Sequence, residues 1–297
     1  MPKPSKDPAK CHKAKLRKPD NTSVYVDLHI HSFYSDGTMS PRDIAEAAQK
    51  SGVGLLAVTD HNSALHYPQI RDACQKRNIK CIPAVEIDCL DGERYYHVLA
   101  YGFNTRSQAF HKFLRHTRFM LDELSVKLVE RMQEDYSCVS LKDYMDYRCD
   151  RRLGGWKALH YFYEKGLTAS IKEGIALYPQ YGVIYQSAGY ATVGAVAYRI
   201  HRAGGYAVLA HPGEMINTTD TEAFKAELIR TVSLGLDGVE CYYPTHTSQI
   251  QDICLNTCRA NNKLITAGSD CHGSFGDTQI GELKTTAEQV TLGNLML

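Results

Sequence analysis

Five residues near the start of the chain, Asp27-Leu28-His29-Ile30-His31, alternate polar and apolar side chains. In an extended strand such alternation puts Asp27, His29 and His31 on one face and Leu28 and Ile30 on the other. Two imidazoles two residues apart at a strand end can grip one cation together. The same signature recurs along the chain: Thr59-Asp60-His61, Val85-Glu86, His97, His211-Pro212, Glu240 and Ser269-Asp270-Cys271-His272 each fall on or just after an apolar run. Buried charge without a partner costs several kcal/mol, so imidazoles and carboxylates converging on one rim call for a compensating ion.

Nine residues are therefore candidate ligands: His29, His31, Asp36, His61, Glu86, His97, His211, Asp270 and His272. The donors are nitrogen and oxygen without sulfur, which suits Zn, Mn or Fe better than Mg or Ca. Nine donors exceed the needs of one ion, so two or three divalent ions are expected, with Glu86 as a bridge offering one oxygen to each of two. Asp36, in Ser35-Asp36-Gly37, reads either as an ordinary turn residue or as a ligand and catalytic carboxylate. His246, just past the sixth strand, is a candidate to protonate a leaving oxygen or bind phosphate, against a bland reading as a loop histidine. Arg118 and Arg152 are candidates for phosphate contact, since guanidinium matches that geometry; the bland reading leaves both solvated. Trp156, the sole tryptophan, reads as core packing or as a platform for a base.

The elements that must position these residues are legible as seven apolar, β-branched runs: 24–31, 55–59, 79–86, 96–103, 206–210, 238–242 and 264–268. Helical stretches separate most of them. Ser40-Pro41 opens one that stops near Gly52, and 219–234 and 247–261 read as two more. Alternation of strand and helix predicts a parallel sheet closed into a barrel, with the site at the C-terminal strand ends. From 105 to 189 the rhythm breaks into helical, aromatic text. Phe113, Leu114, Leu121, Leu124, Leu128 and Met132 share one helical face there, predicting a helical insertion that either caps the barrel mouth or buttresses it. The expected division is a basic, flexible tail over 1–23, a barrel over 24–104 and 190–297, and the insertion over 105–189.

Bulk properties exclude little. Hydrophobic residues are 43% and charged residues 23%, giving enough apolar material for a sizeable core. The formal charge of +1 points to no polyanionic partner, although Lys3, Lys6, Lys10, Lys13, Lys15, Arg17 and Lys18 make the first segment basic. No apolar run approaches the roughly 18 residues that span a bilayer, and the N-terminus lacks a secretory segment. No membrane association and a cytoplasmic location are expected. Ten cysteines without a CxxC pair read as reduced thiols; Cys254 and Cys258, one helical turn apart, read as small buried apolar residues.

The motifs DLHIHSFYSDG, AVTDHN, PAVEI, HVLAYGF, VLAHPGE, GVECYYPTH and GSDCHG together resemble those of the PHP (polymerase and histidinol phosphatase) family of metal-dependent phosphoesterases. The resemblance covers about 24–273 and is nearest the standalone branch related to nucleotide phosphatases and a 5′-to-3′ exoribonuclease. It implies a distorted (β/α)7 TIM-like barrel with a trinuclear site. It also implies one ion on His29, His31, Glu86 and Asp270, a second on Glu86, His97 and His211, and a third on His61 and His272 with Asp36. The activity implied is hydrolysis of a phosphate ester, of a nucleotide or short RNA, by attack of a metal-bridging hydroxide. No obligate protein partner is called for. Three other readings stand beside it: an amidohydrolase-type C–N hydrolase, whose barrels also carry an HxH strand; a histidinol-phosphate phosphatase, disfavoured by the residues flanking the first motif; and a non-catalytic metal-binding domain, disfavoured because the ligand positions are retained.

Overall fold

The computed structural model describes residues 24–296, so the basic segment 1–23 lies outside the described residues. Eight strands form: β1 (Tyr25–Asp27), β2 (Val53–Ala57), β3 (Lys80–Ile82), β4 (Ala84–Asp91), β5 (Arg94–Tyr101), β6 (Tyr206–Leu209), β7 (Gly238–Tyr242) and β8 (Leu264–Ala267). Ten α-helices accompany them: α1 (Pro41–Ser51), α2 (Tyr67–Gln75), α3 (Gln108–Asp135), α4 (Leu141–Asp146), α5 (Lys157–Glu164), α6 (Leu177–Gln180), α7 (Val193–Arg202), α8 (Pro212–Met215), α9 (Thr221–Val232) and α10 (Ser248–Ala260).

The strands pair into two sheets rather than one closed sheet. One is parallel, in the order β1-β2-β3; the other runs β4-β5-β6-β7-β8. Two local features depart from the expected all-parallel pattern. The run 79–86 divides at Pro83, which has no N–H to give a ladder, so β3 ends one sheet and β4 begins the other. Asp91-Gly92-Glu93 then turns β4 directly into β5, with Gly92 at φ 60°, making a hairpin where a crossover helix was expected. β5 is consequently antiparallel to both β4 and β6, while β6-β7-β8 are parallel. At the site the two sheets meet through isolated bridges, Ile30 with Cys271 and His61 with Glu86, and through the Leu28 N–H donating to the Ala267 carbonyl at 2.9 Å.

Helix placement follows the caps. Ser40 and Asp43 form a reciprocal box at the start of α1, and Gly52 ends it at φ 77°. Asp220 caps α9 and Thr247 caps α10. Leu28, Ala57, Ala84, Leu99, Val208, Ala210 and Ala267 fill the space between the sheets, while Val85, Ile87, Val98, Leu209 and Val239 face the helices α7, α9 and α10. Within 105–189, α3 begins on the Ser107 cap and buries Leu114, Leu121, Leu124, Leu128 and Met132. Its C-terminal half builds a core of its own with Tyr144, Tyr161, Phe162 and Leu177. Cys254 and Cys258 are fully buried, and no disulfide links the described cysteines. Among the described residues, no helix is long and apolar enough to cross a membrane.

Candidate metal centre

The extended backbone following β1 delivers His29 and His31, β4 delivers Glu86, β5 delivers His97, and the turns after β2, β6 and β8 deliver His61, His211, Asp270 and His272. All of these strand ends open on one rim. His29 Nε2 and His31 Nε2 stand 3.1 Å apart, each 3.1–3.2 Å from Glu86 Oε2 and 3.1–3.3 Å from Asp270 Oδ1. The other Glu86 oxygen lies 2.8 Å from His97 Nδ1 and 3.0 Å from His211 Nε2, which are themselves 3.2 Å apart. Asp36 Oδ2 is 3.4 Å from His272 Nε2 and 3.7 Å from His61 Nε2, while its Oδ1 faces His31 Nδ1 at 3.4 Å. All nine sequence candidates thus come together, with Asp88, in four overlapping groups among the described residues, and within each the donor atoms lie within 4.8 Å of one another. Glu86, His31, His61 and His97 are each shared by two groups.

Two site residues are held in left-handed backbone, His211 at φ 24° and Asp270 at φ 52°. Such conformations cost about 1–3 kcal/mol each, and here they aim ligand atoms that a relaxed backbone would turn away.

The electrostatics are those of imidazoles and carboxylates buried against one another. Burial alone would lower the pKa of His29, but Glu240, Asp270 and Glu86 together hold it well above the imidazole range. His97 is pushed up to about 10 in the same way, burial opposing and Glu86 and Asp88 prevailing. Burial would raise Glu86, yet His97, His29 and His61 hold it well below the carboxylate range. His61 goes the other way: burial keeps it below its ordinary value.

Several residues behind the rim hold it in shape. Glu240 receives His29 Nδ1 at 3.0 Å on one oxygen and the His211 N–H at 2.8 Å on the other. Asp60 accepts from the Ser32 N–H, the Ser32 hydroxyl and the Ser35 hydroxyl at 2.7–2.8 Å, pinning the loop that carries Asp36. Asp27, although on the His29 face in the strand pattern, turns to accept the Ser269 and Gly281 N–H groups, and burial lifts its carboxyl to about 6. The Tyr243 hydroxyl donates to Asp270 Oδ2 at 2.9 Å.

One carboxylate at the rim was missed. Asp88 Oδ1 lies 3.1 Å from His97 Nε2 and 3.8 Å from His61 Nδ1, and it also accepts from the Tyr95 hydroxyl. Its signal was present: it stands two residues beyond Glu86 on β4, hence on the same face.

Three candidates are placed elsewhere. His246 Nε2 accepts the Gly213 N–H at 3.1 Å and its Nδ1 faces the Cys241 carbonyl at 3.0 Å, so neither nitrogen is available to a leaving group or phosphate. Arg152 is exposed and grips Asp150 through two hydrogen bonds of 2.7 and 2.9 Å, away from the rim. Arg118 pairs with Asp122 at 3.0 Å and lies over the Trp156 ring, 4.6 Å from its centroid. Trp156 itself is half-buried, with its ring 5.6 Å from that of His61. A cleft of about 290 Å³ lies over the rim, bounded below by Asp36, His61 and His97 and above by Leu121, Trp156 and Tyr185 of the 105–189 segment.

A mixed α/β scaffold carrying clustered histidines and carboxylates at its strand ends places the protein among the metal-dependent hydrolases. Residues 27–187 match the PHP domain model, more than half of the chain, and the chain belongs to that family. It is similar to the phosphoribosyl 1,2-cyclic phosphate 1,2-diphosphodiesterase of Eggerthella lenta, at 26% identity over 84% of this chain and 95% of that protein. It is also similar to the 5′-3′ exoribonuclease of Haemophilus influenzae, at 23% identity over 86% and 93% of the two chains. A solved structure from Bifidobacterium adolescentis, provisionally assigned as a metal-dependent phosphoesterase, superposes with a TM-score of 0.72 over 91% of this chain and 95% of its own, at 22% identity. The chain is accordingly a metal-dependent phosphoesterase, a hydrolase of phosphoester bonds.

Proposed function

We propose that these overlapping donor groups hold two or three divalent cations and that the enzyme hydrolyses phosphate esters of nucleotides or short RNA. The observation that carries this reading is Glu86, whose two oxygens serve different groups, one facing His29 and His31 and the other His97 and His211. That is the arrangement a bridging carboxylate requires. The residues also fit the ions: His31 Nδ1, Asp36 Oδ1, His61 Nδ1 and Asp270 Oδ1 are buried without a hydrogen-bond partner. Two nitrogens ligating one tetrahedral zinc stand about 3.3 Å apart, close to the spacing of His29 from His31 and of His97 from His211. Bound cations would neutralise phosphoryl charge and make a nucleophilic water available near neutral pH.

This chain's own contribution is alignment. Glu240 fixes the His29 ring, Asp60 fixes the loop bearing Asp36, and Tyr243 orients Asp270, so the donor atoms need little reorganisation to bind. Leu121, Trp156 and Tyr185 line the cleft opposite the candidate ligands, which favours reading 105–189 as a cap on a scaffold formed by the rest. The bridges joining the two sheets at the rim support reading them as two arcs of a distorted barrel.

The test is turnover by purified protein loaded with Mn, Zn or Fe against nucleotides, nucleoside bisphosphates and short RNAs, with metal content measured alongside. Phosphate release without ammonia release from amides is expected. Metal-replete protein inactive on the whole panel would refute the reading.

A further inference from the structure

Asp88 and His97 stand directly opposite each other in the β4–β5 hairpin, and Glu86 lies two residues before Asp88 on the same face of β4. The His97 ring therefore meets two carboxylates. Its Nδ1 faces Glu86 Oε1 at 2.8 Å and His211 Nε2 at 3.2 Å, inside one of the donor groups. Its other nitrogen, Nε2, lies 3.1 Å from Asp88 Oδ1 and 2.7 Å from the Tyr95 hydroxyl.

Asp88 is itself clamped from three sides. The carboxylate is buried, its Oδ2 accepts from the Asn62 amide and its Oδ1 from the Tyr95 hydroxyl. The Asp88 N–H returns a hydrogen bond to Asn62 Oδ1 at 3.1 Å. Asn62 is held in left-handed backbone at φ 54°, with its N–H on the Glu86 carbonyl at 2.8 Å, which locks the turn after β2 to β4. From the 105–189 segment, Tyr185 stacks on Tyr95 with ring centroids 4.7 Å and planes 10° apart, seating the phenol that touches Asp88.

A neutral imidazole ligates through one nitrogen and carries its proton on the other, and the partner of the second nitrogen decides which is which. A buried carboxylate favours the proton on the nitrogen that faces it. We propose that Asp88 is a positioning residue: it holds the His97 proton on Nε2 and so reserves Nδ1 for the cation that His97 shares with Glu86 and His211. The inference rests on reading the donor groups as cation sites. The competing arrangement makes Asp88 a ligand together with His97 Nε2 and His61 Nδ1. That would displace both the Nε2 proton and the Tyr95 hydroxyl from His97, whereas the carboxylate oxygens are already occupied by Tyr95 and Asn62.

The test uses the full chain carrying nitrogen-15-labelled histidine and loaded with zinc. Parent, Asp88→Asn and Tyr95→Phe are compared by long-range proton–nitrogen correlation spectra, with His97→Ala identifying the His97 signals, and zinc affinity is measured by chelator competition. The parent is expected to show zinc on His97 Nδ1 and an exchange-protected proton on Nε2. Asp88→Asn removes the charge and, with its oxygen kept on Asn62, offers Nε2 a donor where it needs an acceptor. It should lose the protected proton and weaken one zinc by about 10- to 100-fold. Tyr95→Phe should keep the proton, since the carboxylate remains. In a parent that binds zinc, equal affinity in Asp88→Asn, or weaker affinity with the Nε2 proton unmoved, overturns the role and leaves the cation reading standing. If Asp88→Asn does not fold, parent and Tyr95→Phe decide. A protected Nε2 proton in both supports the role; zinc on Nε2 in the parent, or a proton lost with the hydroxyl, overturns it. A parent that binds no zinc fails the cation reading itself, and the positioning role falls with it.

Discussion

Glu240 Oε1 lies 3.0 Å from His29 Nδ1 while Glu240 Oε2 accepts the His211 N–H at 2.8 Å, so one buried carboxylate aligns members of two donor groups. A carboxylate behind a ligating imidazole fixes its tautomer and raises its basicity, and losing such a partner typically weakens metal binding about 10- to 100-fold. Glu240→Gln should therefore lower metal affinity by that factor in chelator competition. Unchanged affinity would mean that packing alone orients His29.

Gly268 allows this pair to form. A Cβ at position 268 would stand 2.1 Å from the His29 Cβ and 2.6 Å from Glu240 Oε1, contacts that no side chain tolerates. Gly268→Ala should displace both groups, reduce bound metal on elemental analysis and destabilise the protein by about 1–3 kcal/mol in denaturant unfolding. Normal metal content and stability would show that the backbone yields there.

Removing metal should cost stability as well as activity, because buried ligand atoms without a hydrogen-bond partner crowd the rim. An ion that binds only the folded chain adds about 2.7 kcal/mol at one hundred times its Kd. Chelated protein should melt several degrees below metal-loaded protein, and His29→Ala should erase most of that difference. A melting temperature indifferent to metal in the parent would count against a site built by these residues.

The rim was legible in the sequence because strand alternation reports facing: His29, His31, Glu86 and His97 all follow from the period of two. Asp88 obeys the same period but lies beyond the expected strand end at Glu86, because β4 continues into a hairpin. That hairpin hid inside Asp91-Gly92, a two-residue turn signal lying between two runs treated as separate parallel strands. Sheet closure was not legible at all: periodicity fixes which residues face inward, but Pro83 decides where one ladder stops and another starts. Arg152 and His246 show the remaining gap. Sequence position puts a guanidinium or imidazole near the site, but the partner that already holds it, Asp150 or the Gly213 N–H, is set by the fold.

His246 accordingly belongs to the scaffold. It ties the turn after β7 to the Gly213 backbone at the start of α8, in a half-buried setting where burial holds its pKa below the usual imidazole value. His246→Ala should leave the Gly213 donor and the Cys241 carbonyl unpaired, destabilising the fold by about 1–3 kcal/mol in urea unfolding. The pH–rate profile of phosphate-ester hydrolysis should keep its alkaline limb. Loss of that limb would restore His246 as the proton donor.

Acid sensitivity should have a source remote from the metal rim. Glu227 on α9 accepts from the Tyr96 hydroxyl and Arg94 on β5, at 2.6 Å each, and from Arg230 at 2.7 Å. The Arg230 hydrogen bonds hold its carboxyl at about 2, against an unfolded value near 4.3. A group depressed on folding stabilises the protein above its unfolded pKa, and that contribution fades as pH falls from about 4.5 toward 2. Glu227→Gln should therefore lower stability by about 1–2 kcal/mol at pH 7, an amount already reduced for solvent screening. It should also flatten the fall in melting temperature between pH 5 and pH 2. Parallel pH curves for parent and variant would show that the clamp between α9 and β5 is carried by packing rather than by this charge.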